Sequence, residues 1–265
     1  MAKMARVTTA EGFAIGIEEA GSGAATPIVF LHGVGSDKSV WAPQLEHFGQ
    51  TRRAVALDYP GYGESDPAPA DTSRDDYAQA MLAAMDALAI DRAHVCGLSL
   101  GGVIAIAVHH AAPERCASLI IADSFAVHPN GKGIYELSVA ASDDMPALAE
   151  ARMPALLAEG VAPNVREELV ATMSRIDPSA FRIGAKAVWL ADQRDRVREI
   201  RCPTLVIVGD QDPVTPVALS DELVGAIAGA QLRVIAGSGH LSNIEKPAEF
   251  NAAAEEFIGR AEPRA

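Results

Sequence analysis

Apolar residues in this chain gather into short, nearly unbroken runs separated by longer stretches of helical period. The runs cover residues 27–31, 54–57, 93–96, 119–122, 204–208 and 232–235. A run without polar alternation is the pattern of a strand covered on both faces. Residues 41–48, 75–89, 103–108, 216–227 and 247–259 carry helical patterns, the first with Pro43 in its opening turn and the second behind a Thr72-Ser73 cap. Strands alternating with helices predict an α/β fold with a mostly parallel central sheet flanked by helices and joined by right-handed crossovers. Two strand-like stretches, residues 6–9 and 13–18, flank Glu11-Gly12 and predict an opening hairpin.

Between residues 125 and 195 the pattern changes. Buried strand runs vanish, and helical stretches punctuated by Pro146, Pro154, Pro163 and Pro178 replace them. The expected organisation is a core formed by residues 1–124 and 196–265, interrupted by a helical insertion over residues 125–195 that lies over one edge of the sheet.

Composition narrows the function classes. The chain has 265 residues, 49% of them hydrophobic and 22% charged, with a formal net charge of -13. That is an ordinary globular composition, and the acidity argues against nucleic acid or an anionic membrane surface as partner. No apolar run approaches the roughly 20 residues that a membrane span needs. Residues 1–6 lack the apolar core of a secretory signal, so a cytoplasmic location is expected. Cys96, Cys116 and Cys202 show no paired or metal-ligand spacing and read as reduced, buried thiols. Neither a Gly-Lys-Ser/Thr nor a complete Gly-x-Gly-x-x-Gly pattern occurs, and no His-Glu-x-x-His, so no cofactor and no metal are expected. Composition leaves the oligomeric state open.

The candidate chemistry sits just after the apolar runs. Gly97-Leu98-Ser99-Leu100-Gly101 follows one of them and precedes a helix. Such a strand–turn–helix forces the serine towards positive φ and leaves its hydroxyl exposed at a helix N-terminus. In a parallel sheet the carboxyl ends of the strands share one rim, where ligands bind. His32-Gly33-Val34, Ser99, Asp123, Asp212 and His240 all fall there, so topology gathers residues that the chain spreads widely. A serine hydroxyl needs a base to take its proton, and His240, in a Gly-Ser-Gly-His loop after the last strand, is the candidate. The acid that orients the histidine is Asp212, with Asp210 and, less favourably placed, Asp123 as alternatives. Backbone amides of Val34 and Leu100 are the candidate oxyanion hole. His32 is expected to shape its loop, and His47, His94, His109, His110 and His128 to be surface or helix-packing residues.

In family order, His32-Gly33-Val34-Gly35, Asp58-Tyr59-Pro60-Gly61-Tyr62-Gly63-Glu64-Ser65, Gly97-Leu98-Ser99-Leu100-Gly101-Gly102, Gly209-Asp210-Gln211-Asp212 and Gly239-His240 resemble the α/β-hydrolase superfamily over nearly the whole chain. The resemblance implies the α/β-hydrolase fold, a helical cap and a Ser99-His240-Asp212 triad, and it favours Asp212 over Asp210. Asp177-Pro178, Ala191-Asp192-Gln193-Arg194 and Gly239-His240-Leu241-Ser242-Asn243-Ile244-Glu245-Lys246-Pro247 are similar to 3-oxoadipate enol-lactonases. Hydrolysis of a small ester or lactone through an acyl-enzyme is the implied activity. C–C bond hydrolases, haloperoxidases or perhydrolases and a non-catalytic receptor are the alternatives on this fold, whereas dehalogenases place Asp where Ser99 stands. Those lactonases carry Trp and Arg at the start of the cap, where this chain reads Ala-Val-His-Pro-Asn-Gly-Lys-Gly over residues 126–133; Arg152, Arg175 or Arg182 would have to supply the charge.

Overall fold

A computed structural model describes residues 3–262. In chain order the strands are β1 (Lys3–Thr8), β2 (Ala14–Ala20), β3 (Ile28–Leu31), β4 (Ala54–Leu57), β5 (Ala93–Leu98), β6 (Cys116–Ala122), β7 (Thr204–Gly209) and β8 (Gln231–Ile235). They form one sheet in the order β1-β2-β4-β3-β5-β6-β7-β8. The pairs β1–β2 and β2–β4 are antiparallel and the remainder parallel. The six apolar runs are therefore the parallel strands, and the predicted hairpin supplies the antiparallel edge. Every residue of β3, β4, β5 and β7 is buried, as two covered faces require. β8, at the other edge, is largely exposed, which accounts for its interrupting Arg233.

Helices α1 (Ala42–Phe48), α2 (Arg74–Ala87) and α3 (Leu100–Ala111) follow β3, β4 and β5. Ser73 caps α2 in a reciprocal box with Asp76, so the helix starts one residue earlier than its apolar period indicates. α3 is buried from Leu100 through His109, which is why it is apolar all round.

Five helices separate β6 from β7: α4 (Gly131–Ala141), α5 (Met145–Leu156), α6 (Pro163–Ser174), α7 (Pro178–Trp189) and α8 (Arg194–Glu199). Pro146, Pro163 and Pro178 occupy first turns, where a missing N–H costs nothing, and Asp177 caps α7 by accepting from the Ser179 and Ala180 amides. Pro154 lies inside α5. α9 (Val217–Ala226), the short α10 (Ser242–Glu245) and α11 (Pro247–Ala261) complete the chain. Among the described residues, no helix is long and apolar enough to cross a membrane.

Candidate active site

Ser99 joins β5 to α3 with φ 55° and ψ -113°. A residue with a Cβ holds this conformation only where its surroundings over-determine it. Here the Ser99 amide donates to Ala122 O at 2.9 Å, and its carbonyl accepts from Gly102 N, Val103 N and Ser124 Oγ. The flanking glycines answer a steric demand: a Cβ on Gly97 would run into the Gly101 carbonyl, and one on Gly101 into that of Leu31.

His240 Nε2 lies 3.0 Å from Ser99 Oγ, and His240 Nδ1 lies 2.8 Å from Asp212 Oδ2. All three side chains are buried. Asp212 is itself held, accepting at Oδ1 from Val214 N (2.7 Å) and Thr215 N (2.9 Å), and at Oδ2 from Thr215 Oγ1 (2.5 Å). Asp210 faces elsewhere: its Oδ1 accepts from Gly237 N at 2.8 Å and braces the turn before the histidine loop. The two aspartates are thus separated by orientation, which spacing alone left open.

Burial opposes the charged imidazolium of His240, but the adjoining Asp212 carboxylate outweighs it and holds the histidine pKa above its ordinary value. Burial likewise opposes the Asp212 carboxylate, and His240 with the Thr215 donors overcomes it, lowering that pKa. Asp123 is fully buried beside them, with a pKa raised by burial and by the Asp212 charge.

Leu100 is the first residue of α3, so its amide has no helical acceptor, and among the described residues neither it nor the Val34 amide donates to the protein. Both residues are buried, and Val34 lines the Ser99 cavity. A Cβ on Gly35 would press on Met173 Sδ of α6 at 3.2 Å, whereas at Gly33 the added atom would make an ordinary contact. His32 Nδ1 donates to Gly33 O at 2.8 Å and Tyr59 donates to His32 O, a loop-shaping role.

The cavity above Ser99 measures about 30 Å³ and is closed by Arg152, Met153 and Leu156 of α5, Leu169 of α6, and Leu241. The larger groove, about 610 Å³ beside Phe13, Pro60 and Asp76, contains none of these residues. Arg152 Nη1 is sealed from solvent without a partner among the described residues. Burial draws the Arg152 pKa down to about 10, so it remains a cation at neutrality. Arg175 and Arg182 lie elsewhere, bonded to Thr172 and to Ser142 with Asp143.

Two features escaped sequence reasoning. Glu245 accepts from Gly239 N and Leu241 N at Oε1 and from Ala158 N at Oε2, and His240 N donates to Leu156 O; together they tie the histidine loop to the end of α5. A glutamate five residues beyond a candidate base, before a Lys-Pro, was the available signal. His94 is neither a surface nor a helix residue: it lies within β5, against Ser118 Oγ (2.8 Å) and Glu262 Oε1 (3.2 Å).

Residues 28–253 match the alpha/beta hydrolase family. The chain is 29% identical over 259 residues to 3-oxoadipate enol-lactonase 1 of Acinetobacter baylyi, covering 92% of each. It is 31% identical over 260 residues to a 2-hydroxymuconate semialdehyde hydrolase of a Pseudomonas species, covering 92% of this chain and 90% of the other. The solved enol-lactonase of Burkholderia xenovorans superposes with a TM-score of 0.90 at 27% identity, over 97% of this chain and 100% of that one. With the eight-stranded sheet and its strand order, these matches make the chain a member of the alpha/beta hydrolase family.

Proposed function

We propose that the protein is a cofactor-independent serine hydrolase of small esters or lactones, resembling the enol-lactonases. The observation that carries this reading is the continuous relay Asp212–His240–Ser99, 2.8 and 3.0 Å, beneath a cavity lined by Val34, whose amide donates to no acceptor among the described residues. Ser99 Oγ attacks the carbonyl carbon while its proton passes to His240 Nε2, and Asp212 stabilises the imidazolium. The Val34 and Leu100 amides take the negative charge of the tetrahedral oxygen. Collapse breaks the acyl–oxygen bond, and His240 returns the proton to the leaving alkoxide; a lactone opens without losing a fragment. Water, deprotonated by His240, then releases the acid and restores Ser99.

Residues 125–195 act in this reading as a cap. A cavity of about 30 Å³ holds roughly one water molecule, so substrate entry displaces Met153, Leu156 and Leu169. Arg152 places a positive charge in the lining of the Ser99 cavity, which favours an acyl portion bearing a carboxylate.

The test is labelling by a fluorophosphonate probe, with the modified residue located by mass spectrometry. Modification confined to Ser99 is expected, together with turnover of aryl esters or lactones; an inert serine in folded protein would overturn the assignment in favour of a receptor. The 31% identity to a semialdehyde hydrolase supports C–C bond hydrolysis as the second reading. Turnover of a vinylogous 1,5-diketone in preference to every lactone would select it.

A further inference from the structure

Asp123 follows β6 with φ 46°, and its side chain is entirely buried. No lysine or arginine pairs with it among the described residues. A buried carboxylate without a cation and a left-handed backbone at a non-glycine residue are both costly. What they secure is a bridge. Oδ1 accepts from Gly209 N at 2.9 Å, at the end of β7 and three residues before Asp212. Oδ2 accepts from Ser242 Oγ at 2.5 Å and Ser242 N at 3.3 Å, two residues beyond His240.

We propose that Asp123 is a positioning residue that fastens the loop carrying Asp212 to the loop carrying His240, seating the imidazole between Asp212 and Ser99. This rests on the serine-hydrolase reading above. The charged or titratable groups around Asp123 and His240 are Asp212 on its loop, Cys96 on β5, Arg152 on α5 and His128, whose Nε2 donates to Val214 O beside Asp212. In its ionised form Asp123 also favours the imidazolium, so its removal eases loss of the His240 proton.

The variants are Asp123→Asn and Ser242→Ala. The readouts are the rate of Ser99 labelling by a fluorophosphonate, and kcat and KM for p-nitrophenyl acetate across pH. Misplacing the imidazole in Asp123→Asn should cost about 10²-fold in kcat and in labelling rate, with KM little changed. Its acid limb should move to lower pH, a shift that loss of packing alone does not produce. Ser242→Ala, which keeps the carboxyl group and its bond to Gly209 N, should lose less. Folded Asp123→Asn with wild-type labelling and an unmoved limb overturns the proposal. If Asp123→Asn does not fold, wild-type rates in Ser242→Ala overturn it instead. A wild-type protein that takes no label removes the hydrolase reading itself, and this one with it.

Discussion

The hydroxyl of Ser99 lies 3.0 Å from Nε2 of His240, although 141 positions of chain separate them. The sheet closes that gap by placing β5 and β8 with their carboxyl ends on one rim. If the relay operates, Ser99→Ala lowers kcat by about 10³-fold or more. The fold should persist, since alanine keeps the backbone bonds that hold the turn. Initial rates and a thermal melt on the same preparation check both halves.

Asp212 raises the His240 pKa above the ordinary imidazole value of about 6.5. The histidine acts as a base when neutral, so kcat/KM should fall as pH drops through a value above that one. Asp212→Asn removes the charge and the tautomer control, lowering kcat by about 10⁴-fold and moving the acid limb to lower pH. A pH–rate profile of each protein decides this.

Arg152 lines the cavity over Ser99, and its buried Nη1 has no hydrogen-bond partner among the described residues. A hydrogen bond between charged groups contributes about 1.5–3 kcal/mol, or roughly 10- to 100-fold in rate or affinity. Arg152→Met should therefore lower kcat/KM by that factor for a carboxylated lactone and leave a neutral aryl ester nearly unaffected. Equal losses on both substrates would assign Arg152 to packing.

Gly101 leaves no room for a side chain, because a Cβ there meets the Leu31 carbonyl. Gly101→Ala forces β3 away from α3 and should destabilise the protein by about 1–3 kcal/mol. Urea denaturation followed by circular dichroism measures it.

Lys38 Nζ lies 2.8 Å from Asp58 and 3.0 Å from Glu64, with side-chain exposures of 6% for Lys38 and 0% for Asp58. Lys38→Met strands the Asp58 carboxylate without its counterion, a loss of about 3–5 kcal/mol. The double variant Lys38→Met/Asp58→Asn should recover part of that loss in the same denaturation experiment.

Legibility followed the range of the interactions. The apolar runs marked the six parallel strands because a strand covered on both faces tolerates few polar residues. Gly97 and Ser99 were readable because the conflict they resolve lies within one turn, whereas the atoms that Gly101 makes room for belong to β3. The start of α2 was displaced by one residue because the Ser73 cap decides it. His94 was misjudged because its hydrogen-bond partners, Ser118 and Glu262, lie far along the chain.

The chain's own order of apolar runs and glycine turns determined the α/β architecture, the elbow at Ser99 and the rim on which the polar residues gather. These depend on local sterics and on burial, which a linear pattern records. Only the tertiary structure decided that Asp212 faces His240 while Asp210 braces Gly237, that Arg152 alone of the three arginines lines the cavity, and that Asp123 spans two loops. Such distinctions turn on the directions of side chains brought together from distant strands. Two aspartates two residues apart look alike in sequence and point to different partners once the loop around them folds.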